Sequence, residues 1–331
     1  MITIENVAVI GLGNIAIRHR RNLKLLYPSC KIIAVSSSGR SPTEPVSDAD
    51  IVVSGFADLN VDKLDFAIVA SPASFHKSHA VELIKRKIPV FIEKPIATSV
   101  EDANALLQLA KDYKVPITVG YCLRYMPSFL KMKELISANF IGPIYNAFIT
   151  VGQYLPDWRP LQDFKNTVSA RKTLGGGALL ELSHDIDYAS LLLGPMSVEY
   201  AALRNTKELD LEVEEIADIM LRNKFDVICS IHLDFLQKQA QRKCSILGGK
   251  GRLDFDLLEN TIHFHHGKGT DLIFNGVGWD RNAMYINMII DFVKLIEEKR
   301  NDFVSAEQSI ATLKLINDIR CLSEKPSEGI K

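Results

Sequence analysis

The sequence predicts an α/β chain in two parts: a doubly wound parallel sheet over residues 1–120, then an α+β unit with a largely antiparallel open sheet over residues 121–331. Three observations carry this. At 331 residues the chain is about twice the length of an ordinary domain. Its first third alternates short β-branched runs with helical patterns, the texture of βαβ units. The remainder strings strand patterns together with few helices between them, as an antiparallel sheet requires.

Taken in order, residues 7–10 form an apolar strand ending at Gly11, and residues 15–26 carry apolar side chains at helical spacing. Strands follow at 31–35, 51–53, 66–70, 89–92 and 117–119, with helices at 76–87 and 100–113. Beyond residue 120 the strand patterns are 145–151, 199–203, 214–221, 226–233, 241–247, 251–255 and 261–265. Two amphipathic helices, 284–299 and 306–321, close the chain. An open antiparallel sheet leaves one face needing cover, so a homodimer or homotetramer is expected.

Composition narrows the partners. With 47% hydrophobic and 24% charged residues the chain can bury a core in each part. Lysine and arginine (39) nearly balance aspartate and glutamate (40), so no global positive field draws it to nucleic acid or an anionic membrane. No apolar run approaches the roughly 20 residues that cross a bilayer. A small-molecule partner is favoured. Cys30, Cys122, Cys229, Cys244 and Cys321 are odd in number and scattered, which predicts neither a disulfide framework nor a zinc site and fits a reducing cytoplasm.

The first chemical motif is Gly11-Leu12-Gly13-Asn14-Ile15-Ala16, placed after a strand and before a helix. Gly11 permits the tight turn and Gly13 the approach of a pyrophosphate. Asn14 and Ile15 open a helix whose unpaired N–H groups face the phosphates. This is the dinucleotide fingerprint of a Rossmann fold. The second strand runs into Ser36-Ser37-Ser38-Gly39-Arg40, where an NAD site usually has an acid for the ribose 2′-hydroxyl. Three hydroxyls and a guanidinium suit a 2′-phosphate instead, so NADP is expected over NAD.

Two further motifs are Glu93-Lys94-Pro95 after the fifth strand and Gly175-Gly176-Gly177-Ala178-Leu179-Leu180-Glu181-Leu182-Ser183-His184-Asp185-Ile186-Asp187. Together with the glycine fingerprint and Ser71-Pro72-Ala73, they resemble the glucose-fructose oxidoreductase and inositol dehydrogenase family, Gfo/Idh/MocA, over essentially the whole chain. The resemblance implies a nicotinamide-dependent oxidoreductase acting on a sugar or cyclic polyol. It puts Lys94 and His184 at the reacting carbon, and it places Ser71, Pro72, His76, Glu93 and Lys94 along the cofactor. The sequence departs from the commonest family pattern at Leu180, where an Asp usually stands four residues before the histidine; Glu181 is the nearby carboxylate that can orient His184 or take that role.

Arg124 and Tyr125 resemble the family's Arg-aromatic pair and are expected at substrate. So are Tyr154, Trp158, Arg159, Arg171 and Lys172, in the loops before the triple glycine. Their combination looks like the subgroup encoded with bacterial surface-polysaccharide biosynthesis, which implies a nucleotide-linked or acidic sugar. His263, His265 and His266 form an H-x-H-H string, but with no further ligand cluster near it in sequence a surface hairpin is expected rather than a metal site. A non-catalytic NADP-binding sensor would share the first domain without requiring Lys94 and His184.

Overall fold

The computed structural model describes residues 2–60, 64–158, 160, 162–298 and 304–324. In chain order the elements are β1 (Asn6–Ile10), α1 (Asn14–Leu26), β2 (Lys31–Val35), β3 (Ile51–Val53), β4 (Phe66–Val69), α2 (His76–Lys85), β5 (Val90–Glu93), α3 (Val100–Tyr113) and β6 (Ile117–Gly120). There follow α4 (Pro127–Ser137), β7 (Ile144–Gly152), α5 (Ala178–Glu181), α6 (His184–Leu193), β8 (Met196–Arg204), β9 (Ile216–Asn223), β10 (Ile228–Asp234), β11 (Gln241–Gly248), β12 (Gly251–Asp256), β13 (Thr261–His266) and β14 (Gly269–Asn275). The helices α7 (Ala283–Glu297) and α8 (Val304–Ser323) end the chain. The chain divides into two compact units, Met1–Tyr121 with Asn282–Leu313, and Cys122–Arg281 with Lys314–Lys331.

In the first unit six strands run in the order β3-β2-β1-β4-β5-β6, every pairing parallel. Strands β1, β4 and β5 are buried almost throughout, because helices cover both faces, and this is why they read as unbroken apolar runs rather than alternating ones. Helix α3 starts where the Ser99 hydroxyl accepts from the Asp102 N–H at 3.1 Å, and it stops where Lys114 turns left-handed.

The sequence expectation gives residues 121–331 to the second part, but among the described residues 282–298 and 304–313 group with the first unit. Phe292 of α7 stands edge-on to Phe66 and Phe91 at 5.6 and 5.9 Å, and Asn282 and Asn22 exchange amide hydrogen bonds at 2.7 and 3.3 Å. An amphipathic pattern specifies that a helix has a buried face; it does not specify which sheet that face covers.

The second unit holds an eight-stranded sheet in the order β14-β13-β12-β11-β7-β10-β9-β8. All pairs are antiparallel except β7 with β10, which run parallel because the chain leaves β7 through loops, α5 and α6, re-enters the sheet at β8 and reverses twice, through β9, before it forms β10. Strand β14 and helix α4 have no counterpart among the sequence expectations. Residues alternate along β7: Ala147, Ile149 and Val151 are buried, while Phe148 is 50% exposed on the opposite face.

Candidate active site

The carboxyl ends of β2, β1, β4 and β5 lie side by side, and the strand order reverses between β1 and β4. In a sheet of this kind that edge is where ligands bind. Gly11 ends β1 with φ +118° and its N–H bonded to the Val35 carbonyl at 2.8 Å. A Cβ there would stand 2.4 Å from the Ala70 carbonyl oxygen, so neither the backbone nor the space admits a side chain. Gly13, the N-cap of α1, differs: a Cβ on it meets nothing within 4 Å. The protein itself leaves that space open. No side chain caps α1 and no acid lies in its first turn, so the N–H groups opened by Asn14 and Ile15 are available to an anion. The residues present fit a pyrophosphate.

At the end of β2 the Ser36 N–H bonds the Val53 carbonyl at 3.0 Å, and its hydroxyl meets that of Ser38 at 3.2 Å. Ser37 is half-buried, and Ser38 and Arg40 are exposed. At the end of β4, the Ser71 hydroxyl lies 2.9 Å from Nδ1 of His79, whose imidazole burial keeps neutral by pulling its pKa down to about 4. Pro72 leads from that turn towards α2.

Two residues expected along the cofactor, His76 and Glu93, have interior partners. His76 is buried, with Nδ1 2.7 Å from the Pro95 carbonyl and Nε2 2.8 Å from that of Ser71. The ring stands between the loop after β4 and the loop after β5, and since desolvation lowers its pKa and keeps it neutral, its single N–H donates to one of the two carbonyls at a time. Glu93 is buried, with its carboxylate 2.7 Å from Nε2 of His19 on α1 and 3.3 Å from the Lys94 N–H. Both residues therefore position the loop that carries Lys94. Lys94 itself is half-buried and precedes a cis peptide to Pro95.

In the second unit His184 opens α6 and is half-buried. Behind it the acids at 185 and 187 are buried and gripped from two sides. Arg124 closes a fork on Asp187 with Nε and Nη2 at 2.8 and 2.7 Å, and Arg242 of β11 does the same to Asp185, with Nε 3.2 and 3.1 Å from its two oxygens. The guanidinium of Arg124, expected at substrate, holds α6 through Asp187. Asp185, Asp187 and Arg242 are given no role among the sequence expectations. The signal was there, because two acids inside an otherwise apolar helix need buried cations.

Glu181 accepts from the Ser169 hydroxyl at 2.9 Å, which ties the loop before the triple glycine to α5. Trp158 is half-buried, edge-on to Phe235 at 5.4 Å, and Tyr154 lies under the Lys238 ammonium. Tyr125 is half-buried; Arg171 and Lys172 are exposed, Arg171 donating to the Asn166 side chain. Arg159 lies outside the described residues. His265 and His266 pair with Asp254 and Asp271 at 2.9 and 3.1 Å, and no cluster suited to a metal occurs among the described residues.

Residues 5–121 match the family described as an oxidoreductase family with an NAD-binding Rossmann fold, and residues 129–254 match the GFO/IDH/MocA C-terminal domain. Over 194 residues the chain is 28% identical to scyllo-inositol 2-dehydrogenase (NAD(+)) of Bacillus subtilis (strain 168), covering 56% of this chain and about half, 53%, of that relative. Among solved structures, levoglucosan dehydrogenase in complex with NADH superposes with a TM-score of 0.83 at 18% identity over 96% of both chains. The WlbA dehydrogenase from Bordetella pertussis, in complex with NADH and UDP-GlcNAcA, does so at 0.79 and 19% over 97% of both. At these identities the superpositions speak for the fold. The two matched segments together span most of the sequence and meet the glycine turn, the Lys94 loop and the His184 helix, so this chain belongs to the Gfo/Idh/MocA family of oxidoreductases.

Proposed function

We propose that the chain is a nicotinamide-dependent dehydrogenase or reductase acting at a hydroxyl-bearing carbon of a sugar. The observation that carries this is the open space over Gly13 at the sheet's carboxyl edge, with Lys94 delivered to the same edge by β5, two strands from β1, in a family of NAD-binding oxidoreductases. A bound nicotinamide accepts or returns a hydride. The chain's own residues do the rest. Gly11, Gly13 and the first turn of α1 hold the pyrophosphate. The Lys94 ammonium hydrogen-bonds the reacting hydroxyl and stabilises the negative charge that grows on its oxygen, while the His184 imidazole takes the proton. Glu181, tied to Ser169, sets the approach to His184.

For the cofactor, the absence of an acid among residues 36–40 and the exposed Ser38 and Arg40 favour NADP over NAD. For the substrate, exposed Arg171 and Lys172, with Tyr154 and Trp158 nearby in sequence, favour an acidic or nucleotide-linked sugar. Likeness to the inositol dehydrogenase favours a cyclic polyol as the second reading. The five cysteines, odd in number and scattered, support a reducing cytoplasm, and among the described residues no helix is long and apolar enough to cross a membrane. Exposed Phe148, Tyr200 and Met220 on one face of the second sheet support assembly with a second copy.

The test is titration with NADP and NAD, then absorbance of the reduced cofactor with nucleotide-linked uronic acids, free sugars and inositols. Reduction by an acidic sugar supports the proposal and reduction by inositols alone supports the second reading. Binding without reduction by any of them would assign the chain to a sensor. Arg40→Ala should weaken NADP about tenfold or more while leaving NAD within about twofold, since it removes one charge-assisted fork. Equal losses, or a wild-type preference for NAD, would overturn the phosphate reading.

A further inference from the structure

Helix α1 carries a buried arginine that neither the glycine turn nor the catalytic proposal uses. Arg20 is 1% exposed, yet among the described residues it pairs with no carboxylate; Asp48 acts on it only at longer range. Burying a guanidinium without a paired anion is costly, so its hydrogen bonds must do something. Nε donates to the Ser47 carbonyl at 2.8 Å and Nη1 to the Gly11 carbonyl at 3.3 Å. The two acceptors belong to different loops.

Gly11 is in the turn between β1 and α1. Ser47 is in residues 36–50, which connect β2 to β3 with no helix or strand of their own and turn left-handed at Asp48, φ 54°. One turn further along α1, Lys24 donates to Asp50 at 2.7 Å and to the Cys30 carbonyl at 2.8 Å, and Asp50 also accepts from the Ile32 N–H. The loop therefore leaves β2 through Ser36 and is caught at its far end by two cations of α1, with its exposed middle between them. Drawing the Gly11 carbonyl inward also fixes the plane of the next peptide. In a trans peptide the N–H points opposite to the C=O, so the Leu12 N–H is turned away from Arg20, to the other side of the turn.

We propose that Arg20 is a positioning residue for the adenosine half of the dinucleotide: it fixes the spacing between the turn that takes the pyrophosphate and the loop that carries Ser36, Ser37, Ser38 and Arg40. This rests on the dinucleotide reading given above. A ligand that spans two subsites gains its affinity from their being held at the right separation beforehand. Arginine suits the task because its planar fork reaches two carbonyls at once, whereas a lysine, with one ammonium on a flexible stem, holds one at a time.

Calorimetry with ADP-ribose, which lacks the nicotinamide, isolates this effect from catalysis. In Arg20→Lys and Arg20→Met the dissociation constant should rise tenfold or more, and hydrogen exchange of residues 36–50 in the free protein should quicken while β4 and β5 keep their protection. A folded variant that binds ADP-ribose as the wild type does, or that leaves exchange over residues 36–50 unchanged, overturns the proposal. If Arg20→Met fails to fold, Arg20→Lys, which keeps the cation, decides. A wild-type protein that binds no ADP-ribose, NAD or NADP refutes the dinucleotide reading itself, a failure visible without any variant.

Discussion

Lys94 and His184 reach their places by different means, and the difference decides what their removal should do. Lys94 follows a strand whose last residue, Glu93, is locked to His19, and its loop is fastened by His76 through the Pro95 carbonyl. Lys94 is half-buried and neither support runs through its side chain, so truncating it leaves them intact. Lys94→Ala should keep dinucleotide affinity and cooperative unfolding while lowering the single-turnover rate by about 10²- to 10³-fold, the usual cost of losing one donor to a developing oxyanion. His184→Asn should slow the same step by about 10²- to 10⁴-fold and flatten the limb of the pH profile that reports the base. Wild-type single-turnover rates in both variants would place the chemistry elsewhere. The resemblance carried by their two motifs singled out these residues before any fold was described. It was silent on which polar groups face inward, because Glu93, His76 and Arg124 owe their roles to partners 74, 19 and 63 residues away.

At the scale of elements, the parallel sheet was legible because strands covered on both faces read as continuous apolar runs, and every one of its six strands overlaps an expected segment. Strand β14 was not: Gly269–Asn275 follows a turn and its residues are mostly exposed or half-buried, so it has little apolar alternation to show. The outward face of the second sheet also holds a charge cluster that no motif announces. On β10, His232 has Nδ1 2.6 Å from Asp218 and Nε2 3.1 Å from Asp234, and those carboxylates, Asp234 first, raise its pKa to about 9 against the opposing effect of burial. The folded pKa lies above the unfolded value of about 6.5, so the stabilisation is complete below about pH 6.5 and is lost as pH rises through 9. The imidazole is more than one third exposed, which limits the effect to about 1 kcal/mol or less. Thermal melts of His232→Gln against wild type should show their widest gap near pH 6 and a closing gap by about pH 9.5. A gap independent of pH would show that the imidazole contributes packing and not charge.

For the whole molecule, the unresolved demand is the open face of the second sheet. The register sets Tyr200 beside Met220, Met220 beside Ser230, Ser230 beside Phe148 and Phe148 beside Ser245, a row across five strands on the face opposite the core. Tyr200, Met220 and Phe148 are 55, 39 and 50% exposed, and Leu247, a register step further along β11, is 40% exposed. A single chain gains nothing from keeping aromatic and aliphatic groups in water, and a twofold axis through such a face would cover the same residues on both copies. A stable interface needs about 800 Å² from each partner, which a face of eight strands can supply. Light scattering at micromolar concentration should therefore return a multiple of 36.9 kDa, two or four. Phe148→Asp places a charge in the middle of the row, where pairing would bury it unpartnered, and should shift the mass to that of one chain while leaving dinucleotide affinity unchanged. A wild-type mass of one chain would leave the face to solvent and remove the assembly, and an unchanged mass for Phe148→Asp would move the interface to another surface.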